Sequence, residues 1–119
     1  MTADQQSGAY KMTSFTFTPG PANSVLVQVN FEGAGHGYTA LFTGTFVVGK
    51  SGTYSLCGAL YLDNGDITPF TSQGLYESSG QHTWRTHHLS QRSDGQTIDV
   101  EGEIDLATRT YTTKYVERS

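Results

Sequence analysis

The residues best equipped for chemistry crowd into one stretch, Leu75-Tyr76-Glu77-Ser78-Ser79-Gly80-Gln81-His82-Thr83-Trp84-Arg85-Thr86-His87-His88. It holds the chain's only tryptophan, three of its four histidines, an arginine and a carboxylate. On a strand, Arg85 and His87 stand two apart and share a face. A guanidinium keeps its proton, so a buried Arg85 needs an anion: a protein carboxylate, or a ligand carboxylate or enolate. An imidazole such as that of His87 can move a proton, and the Tyr76 phenol can orient a carbonyl. Arg85, His87 and Tyr76 are therefore the candidate catalytic set, suited to isomerisation, cyclisation or hydration of a mostly apolar small molecule. The plainer reading has Arg85 closing one end of the fold in a salt bridge and His87 merely hydrogen-bonded. Glu77 and His82 read as cross-strand neighbours beside Trp84; a carboxylate can orient an imidazole base, but an ordinary polar pair near a turn is the simpler account.

Other chemistries are disfavoured by spacing. His87 and His88 are adjacent and point to opposite faces of a strand, while His82 and His88 lie roughly 20 Å apart along it, so no metal site is expected. Cys57 has no histidine nearby in sequence and reads as a small packing residue. No Gly-x-Ser-x-Gly elbow occurs. Gly33-Ala34-Gly35-His36-Gly37 has the glycines of a phosphate cradle, but a strand-like segment follows it where a cradle needs a helix N-terminus, and a flexible hairpin is expected.

The elements that must position these groups are strands. Fourteen glycines, seven tyrosines and six phenylalanines in 119 residues mark short strands and tight turns. Strands are predicted over Tyr10–Thr18, Val25–Phe31, Tyr38–Val48, Thr53–Leu62, Ile67–Glu77, Gln81–Gln91, Gln96–Ile104 and Thr110–Glu117. Pro19-Gly20-Pro21 breaks the first from the second, since prolines cannot donate to a ladder. Asn64-Gly65, Ser79-Gly80 and Asp94-Gly95 read as two-residue hairpin turns. Sequential hairpins make a meander, and about eight strands close most economically into an antiparallel up-and-down β-barrel. Residues 1–9 are expected to be a mobile tail and 10–119 a single barrel domain.

Two-residue turns fix which side chains share a face. One face then carries Phe42, Phe46, Cys57, Tyr61, Phe70, Tyr76, Arg85 and His87, alternating with Gly, Ala and Ser in the large-and-small pattern of a narrow lumen. The other carries Leu56, Leu75, Trp84 and His88 with the carboxylates Asp99, Glu101 and Glu103, which are costly to bury together. The first face is taken as the interior, so Phe42, Phe46, Tyr61, Phe70 and Cys57 are candidate ligand-binding residues. Trp84, Leu75 and Leu56 form a candidate interface on the exterior, implying a homo-oligomer, a dimer in the simplest case. A bulge at Pro69 would exchange the two faces downstream.

The segments Gly58-Ala59-Leu60-Tyr61, Gly74-Leu75-Tyr76-Glu77, Gly80–Arg85 and Val100–Asp105 give a glycine-and-aromatic rhythm. In this rhythm the chain resembles the small antiparallel barrels of the allene oxide cyclase type, with the barrel cyclases of polyketide pathways among them. The resemblance spans residues 40–117, carries no diagnostic motif, and implies a cofactor-free barrel with a ligand cavity, often dimeric or trimeric. The expected function is the binding of a partly apolar small organic molecule in the lumen, with isomerisation or cyclisation as its chemistry. A non-catalytic binding or assembly module is the alternative, and lectin-like sugar binding on outer aromatics a third reading. A net charge of -4 leaves no basic stripe for nucleic acid. The lack of a long apolar run argues against a membrane span. One cysteine and an N-terminus without basic and apolar blocks lead to the expectation of a cytoplasmic protein.

Overall fold

In a computed structural model, which describes residues 5–92 and 95–118, the chain is a closed antiparallel barrel of eight strands. They are β1 (Gln6–Pro19), β2 (Val25–Gly35), β3 (Tyr38–Val47), β4 (Ser51–Leu62), β5 (Ile67–Gly80), β6 (Thr83–Arg92), β7 (Thr97–Asp105) and β8 (Thr110–Arg118). Each strand pairs with its sequence neighbours, and β1 pairs with β8 from Gln6↔Tyr115 to Lys11↔Thr110 to close the ring. The only helical piece is a 3₁₀ turn, Pro21–Asn23, between β1 and β2 among the described residues. The all-β barrel expected from turn spacing and aromatic content is the observed architecture.

Gln6–Ala9, assigned above to a mobile tail, belong to the closing strand. Gln6, Ser7 and Gly8 give no apolar alternation, yet backbone pairing with β8 holds the segment, and Gly8 leaves room beside the Tyr10 ring and Thr113. Residues 1–4 lie outside the described part of the chain.

The interior is aromatic, and its packing explains the glycines. Phe31 stacks on Phe42 with ring centroids 4.8 Å apart, Phe46 stacks on Tyr54 at 5.1 Å, and Tyr10 meets Phe42 edge-on at 5.1 Å. Such pairs contribute about 0.5–1.5 kcal/mol each beyond their burial. Opposite many of the inward rings stands a glycine on the neighbouring strand: Gly33 faces Tyr10, Gly58 faces Phe42, and Gly74 faces His88. A Cβ at Gly58 would collide with the Leu41 carbonyl and the Phe42 Cβ. The large-and-small filling anticipated from sequence is therefore real, but it runs between strands as well as along them.

Turn geometry sets the faces differently from expectation. The β4–β5 turn pairs Tyr61 with Ile67, with Leu62 N–H donating to the Asp66 carbonyl and Gly65 at φ +97°. Asp63-Asn64-Gly65 is thus a three-residue loop with its glycine left-handed, one residue longer than an Asn-Gly turn. Between β5 and β6 the hinge is Gln81-His82, with Gly80 opposite Thr83 and a register shift between Ser78 and Gly80. Hence β6 starts at Thr83, beyond the expected Gln81, and His82 sits in the turn at φ +57°. The predicted Asp94 turn lies partly outside the described residues, but the pair Gln91↔Thr97 again shows a longer connection than Asp94-Gly95 alone. The β4–β5 ladder runs unbroken through Ala59↔Pro69, so no bulge sits at Pro69.

Gly58→Ala should lower unfolding free energy by about 1–3 kcal/mol, because the Leu41 backbone cannot yield cheaply. Gly49→Ala, where an added Cβ meets nothing within 4 Å, should change it by less than about 0.5 kcal/mol. Urea titration of the two variants checks the contrast.

Candidate ligand site in the barrel lumen

Two cavities lie in the lumen among the described residues, one toward each end, with the Phe31–Phe42 stack between them: Phe42 lines one, and Phe31 and Phe46 line the other. The larger, of about 270 Å³, opens where Gln6, His36 and Glu117 form a polar rim. Its wall is largely apolar, from Ala40, Phe42, Leu56, Leu60, Phe70 and Val100. Among its lining residues, His88, Ser90, Tyr10 and Tyr38 are polar groups with defined partners. His88 Nδ1 and the Tyr54 hydroxyl are 2.6 Å apart and buried. The Tyr10 and Tyr38 hydroxyls are 2.6 Å apart, and Ser72 Oγ donates to Ser90 Oγ at 2.9 Å. Thr113 Oγ1, in the same wall, is buried without a hydrogen-bond partner.

Strand alternation puts His88 there. Trp84, Thr86, His88 and Ser90 take the inward positions of β6, so that His88, 5% exposed, faces Gly74 across the ladder. Its second ring nitrogen, Nε2, has no partner among the described residues. Burial first, then the neighbouring His87, lowers its pKa to about 4 against a smaller opposing pull from Asp99. Burial likewise raises the Tyr54 phenol to about 12 and holds Tyr10, Tyr38 and Tyr111 above the ordinary range. At neutral pH these groups are uncharged, and among the described lining residues Glu117 at the rim is the only carboxylate, with no lysine or arginine.

The expected site residues divide. Phe42, Phe46 and Tyr76 are buried and Phe70 half-buried, all facing inward, but Phe46 and Tyr76 line the second cavity and not the first. The Tyr76 hydroxyl is committed as a donor to the Val47 carbonyl. Arg85 and His87 face outward: Arg85 lies 3.8 Å from Glu77, and His87 Nε2 lies 2.7 Å from Asp99 Oδ1. They make no part of the lumen, because the Gln81-His82 hinge and the shift before Gly80 invert the phase of β6. Glu77 accordingly pairs with Arg85 and not with His82. Tyr61 and Cys57 are exposed, since the extra residue at Gly65 inverts β4. The same inversion buries Leu56 at 4% exposure, and that of β6 turns Trp84 inward, with its indole N–H donating to the Gly49 carbonyl at 3.0 Å. Neither can serve the exterior interface expected of them, whereas Leu75 is on the outer surface, 64% exposed.

The groups that sequence reasoning missed are Tyr54, His88, Tyr10 and Tyr38. A signal for one of them existed: Tyr54, Leu56, Leu60 and Leu62 share one parity on β4 and are more apolar than Cys57, Ala59 and Tyr61. Among the described residues no three His, Cys, Asp or Glu are grouped to hold a metal ion. No described helix is long and apolar enough to cross a membrane.

Fold and lumen together define a small closed β-barrel whose larger luminal cavity has a mostly apolar wall, one carboxylate at its rim and no lysine or arginine among its described lining residues. No protein-family model, curated protein or solved structure matches the chain.

The buried imidazole makes stability depend on pH. Unfolded, His88 takes up a proton near its ordinary pKa of 6.5; folded, it does so only near 4. The unfolded state therefore binds more protons between these values, and stability falls as pH drops from about 6.5 to 4. The loss is on the order of 3 kcal/mol, and His88→Phe should remove most of it in urea titrations at pH 7 and 4.5. Arg85→Ala should cost no more than about 1 kcal/mol at either pH, as befits an exposed pair.

Proposed function

We propose that this barrel binds a small, uncharged, mostly apolar organic molecule bearing a hydroxyl or carbonyl group, held in the larger cavity against His88. The observation that carries the reading is the unpartnered Nε2 of a buried, neutral imidazole at a cavity of about 270 Å³. In one tautomer Tyr54 donates to Nδ1 and Nε2–H is a donor; in the other Nδ1–H donates to Tyr54 and Nε2 accepts. A ligand hydroxyl satisfies either state, and a carbonyl satisfies the first. The volume lies just below the roughly 300–1,000 Å³ of most ligand pockets, so the molecule is compact. An anionic ligand would give up its hydration without meeting a cation, which favours a neutral one.

Isomerisation or cyclisation in the same cavity is the enzymatic version of this reading. A histidine with a pKa near 4 is a weak base, and this favours binding over proton abstraction as the primary role. The exposed, unpaired Cys57 suits a reducing compartment such as the cytoplasm.

Calorimetry with 2-naphthol and 2-naphthoate tests the proposal, together with mass spectrometry of small molecules that co-purify. The naphthol should bind and the carboxylate should not. His88→Phe should weaken naphthol binding about tenfold, the loss of one buried hydrogen bond, and Arg85→Ala should leave it unchanged. Equal binding of both probes, or indifference to His88→Phe, would place the ligand elsewhere.

A further inference from the structure

Beyond Lys11, β1 keeps β2 on one side but has no strand on the other among the described residues. The pairing with β8 ends at Lys11↔Thr110, and Thr13 to Pro19 are all exposed. This free edge carries Ser14-Phe15-Thr16-Phe17-Thr18, a run with high strand propensity. It is framed by the register shift at Thr13 and by Pro19, whose missing N–H ends any ladder. Natural sheets guard such edges with charge, yet no charged residue and no histidine occurs between Lys11 and Glu32. Phe15 and Phe17 sit opposite Val29 and Val27 on the inward side of the sheet, and are 36% and 61% exposed.

We infer that this edge is the pairing surface for a second copy of the chain, with strand β1 adding antiparallel to its own counterpart about a two-fold axis at Thr16. Three observations select that occupant. An antiparallel register centred on Thr16 sets Phe15 against Phe17 of the other copy, Ser14 against Thr18, and Thr16 against itself, so the segment is complementary to itself. Aromatic cross-strand pairs are among the favourable ones, and an isologous contact closes as a dimer. The protein carries a net charge of -4, which opposes self-association over most of its surface, and at this edge no charge has to be desolvated. Finally, the second luminal cavity, about 160 Å³, opens beside the same edge between Phe15, Phe17, Val27 and Val48. Its polar groups are already satisfied, by Trp84 on Gly49 and Tyr76 on Val47. A free hydrocarbon could fill that cavity but could not pair the edge's backbone N–H and C=O groups; a second β1 does the pairing and shields the cavity mouth.

Sedimentation velocity over a micromolar to high-micromolar range reads the self-association, with circular dichroism checking that each variant folds. The wild type should dimerise, and Phe17→Lys should weaken the dimer at least about tenfold. The register is read separately in a Cys57→Ser background. Thr16→Cys should form an intermolecular disulfide on oxidation, since residues opposite at a two-fold lie within disulfide reach, and Thr18→Cys should not. A wild type that stays monomeric at high micromolar concentration overturns the inference, with or without a hydrocarbon recovered from the cavity. So does a dimer indifferent to Phe17→Lys, or a Thr18→Cys variant that cross-links as efficiently as Thr16→Cys. If Phe17→Lys fails to fold, the contrast between the two cysteine variants decides.

Discussion

The interior of an eight-stranded barrel is narrow, so a large inward side chain either stacks on the ring facing it, as Phe31 does on Phe42 and Phe46 on Tyr54, or faces a position with no side chain. Here the constraint is met across the ladder, with Phe42 over Gly58, His88 over Gly74 and Tyr10 over Gly33. Those rings then reach the barrel axis, where Phe42 packs against Phe31 and Tyr10, and His88 against Tyr54. The fold depends on this pairing of bulk with absence of bulk more than on any polar contact, because the exposed ion pairs stabilise little. It also determines where the lumen is filled and where it is not.

The aromatic layer divides the interior into unlike halves. Toward one end the wall admits His88, Ser90 and the Tyr10–Tyr38 pair, with Tyr54 and Ser72 as the hydrogen-bond partners of the first two. Toward the other, Met12, Val27, Val29, Phe46 and Ile104 leave a nearly wholly apolar hollow. Depth in the polar half disfavours charge, and this makes its imidazole and phenols neutral hydrogen-bonding groups instead of ionic ones.

Strand existence, number and order were legible in the sequence because aromatic and β-branched runs alternate with Gly, Pro, Asn and Asp at hairpin spacing. The faces of β3, β5 and β7 were legible too: Phe42, Phe46, Phe70 and Tyr76 point inward as read, and Asp99, Glu101 and Glu103 take the outward face of β7. The faces of β4 and β6 were not, since each depends on a single residue in a turn. Asn64-Gly65 looks like a two-residue hinge, but Asn64 Oδ1 accepts from the Asp66 N–H and the loop takes in Asp63 as well. At Ser79-Gly80 the glycine marks the end of a strand, and the hinge falls on Gln81-His82, where a non-glycine residue adopts positive φ. A one-residue error of this kind moves every side chain on a strand. That is why Arg85 and His87 lie outside with Glu77 and Asp99, and why His88 holds the interior place.

Closure through β1 and β8 joins segments about a hundred residues apart in sequence, as Gln6 meets Tyr115. During synthesis the ring can be completed only after β8 has emerged, so β1 waits as an open edge along its whole length while the intervening hairpins form. Contacts of such separation slow folding and prolong the exposure of unpaired strand. The charge-free half of β1 is thus exposed twice in the life of the molecule, first as a nascent chain and later as the rim of a finished barrel. Closure by β8 covers the strand only as far as Lys11 and so leaves the second exposure in place.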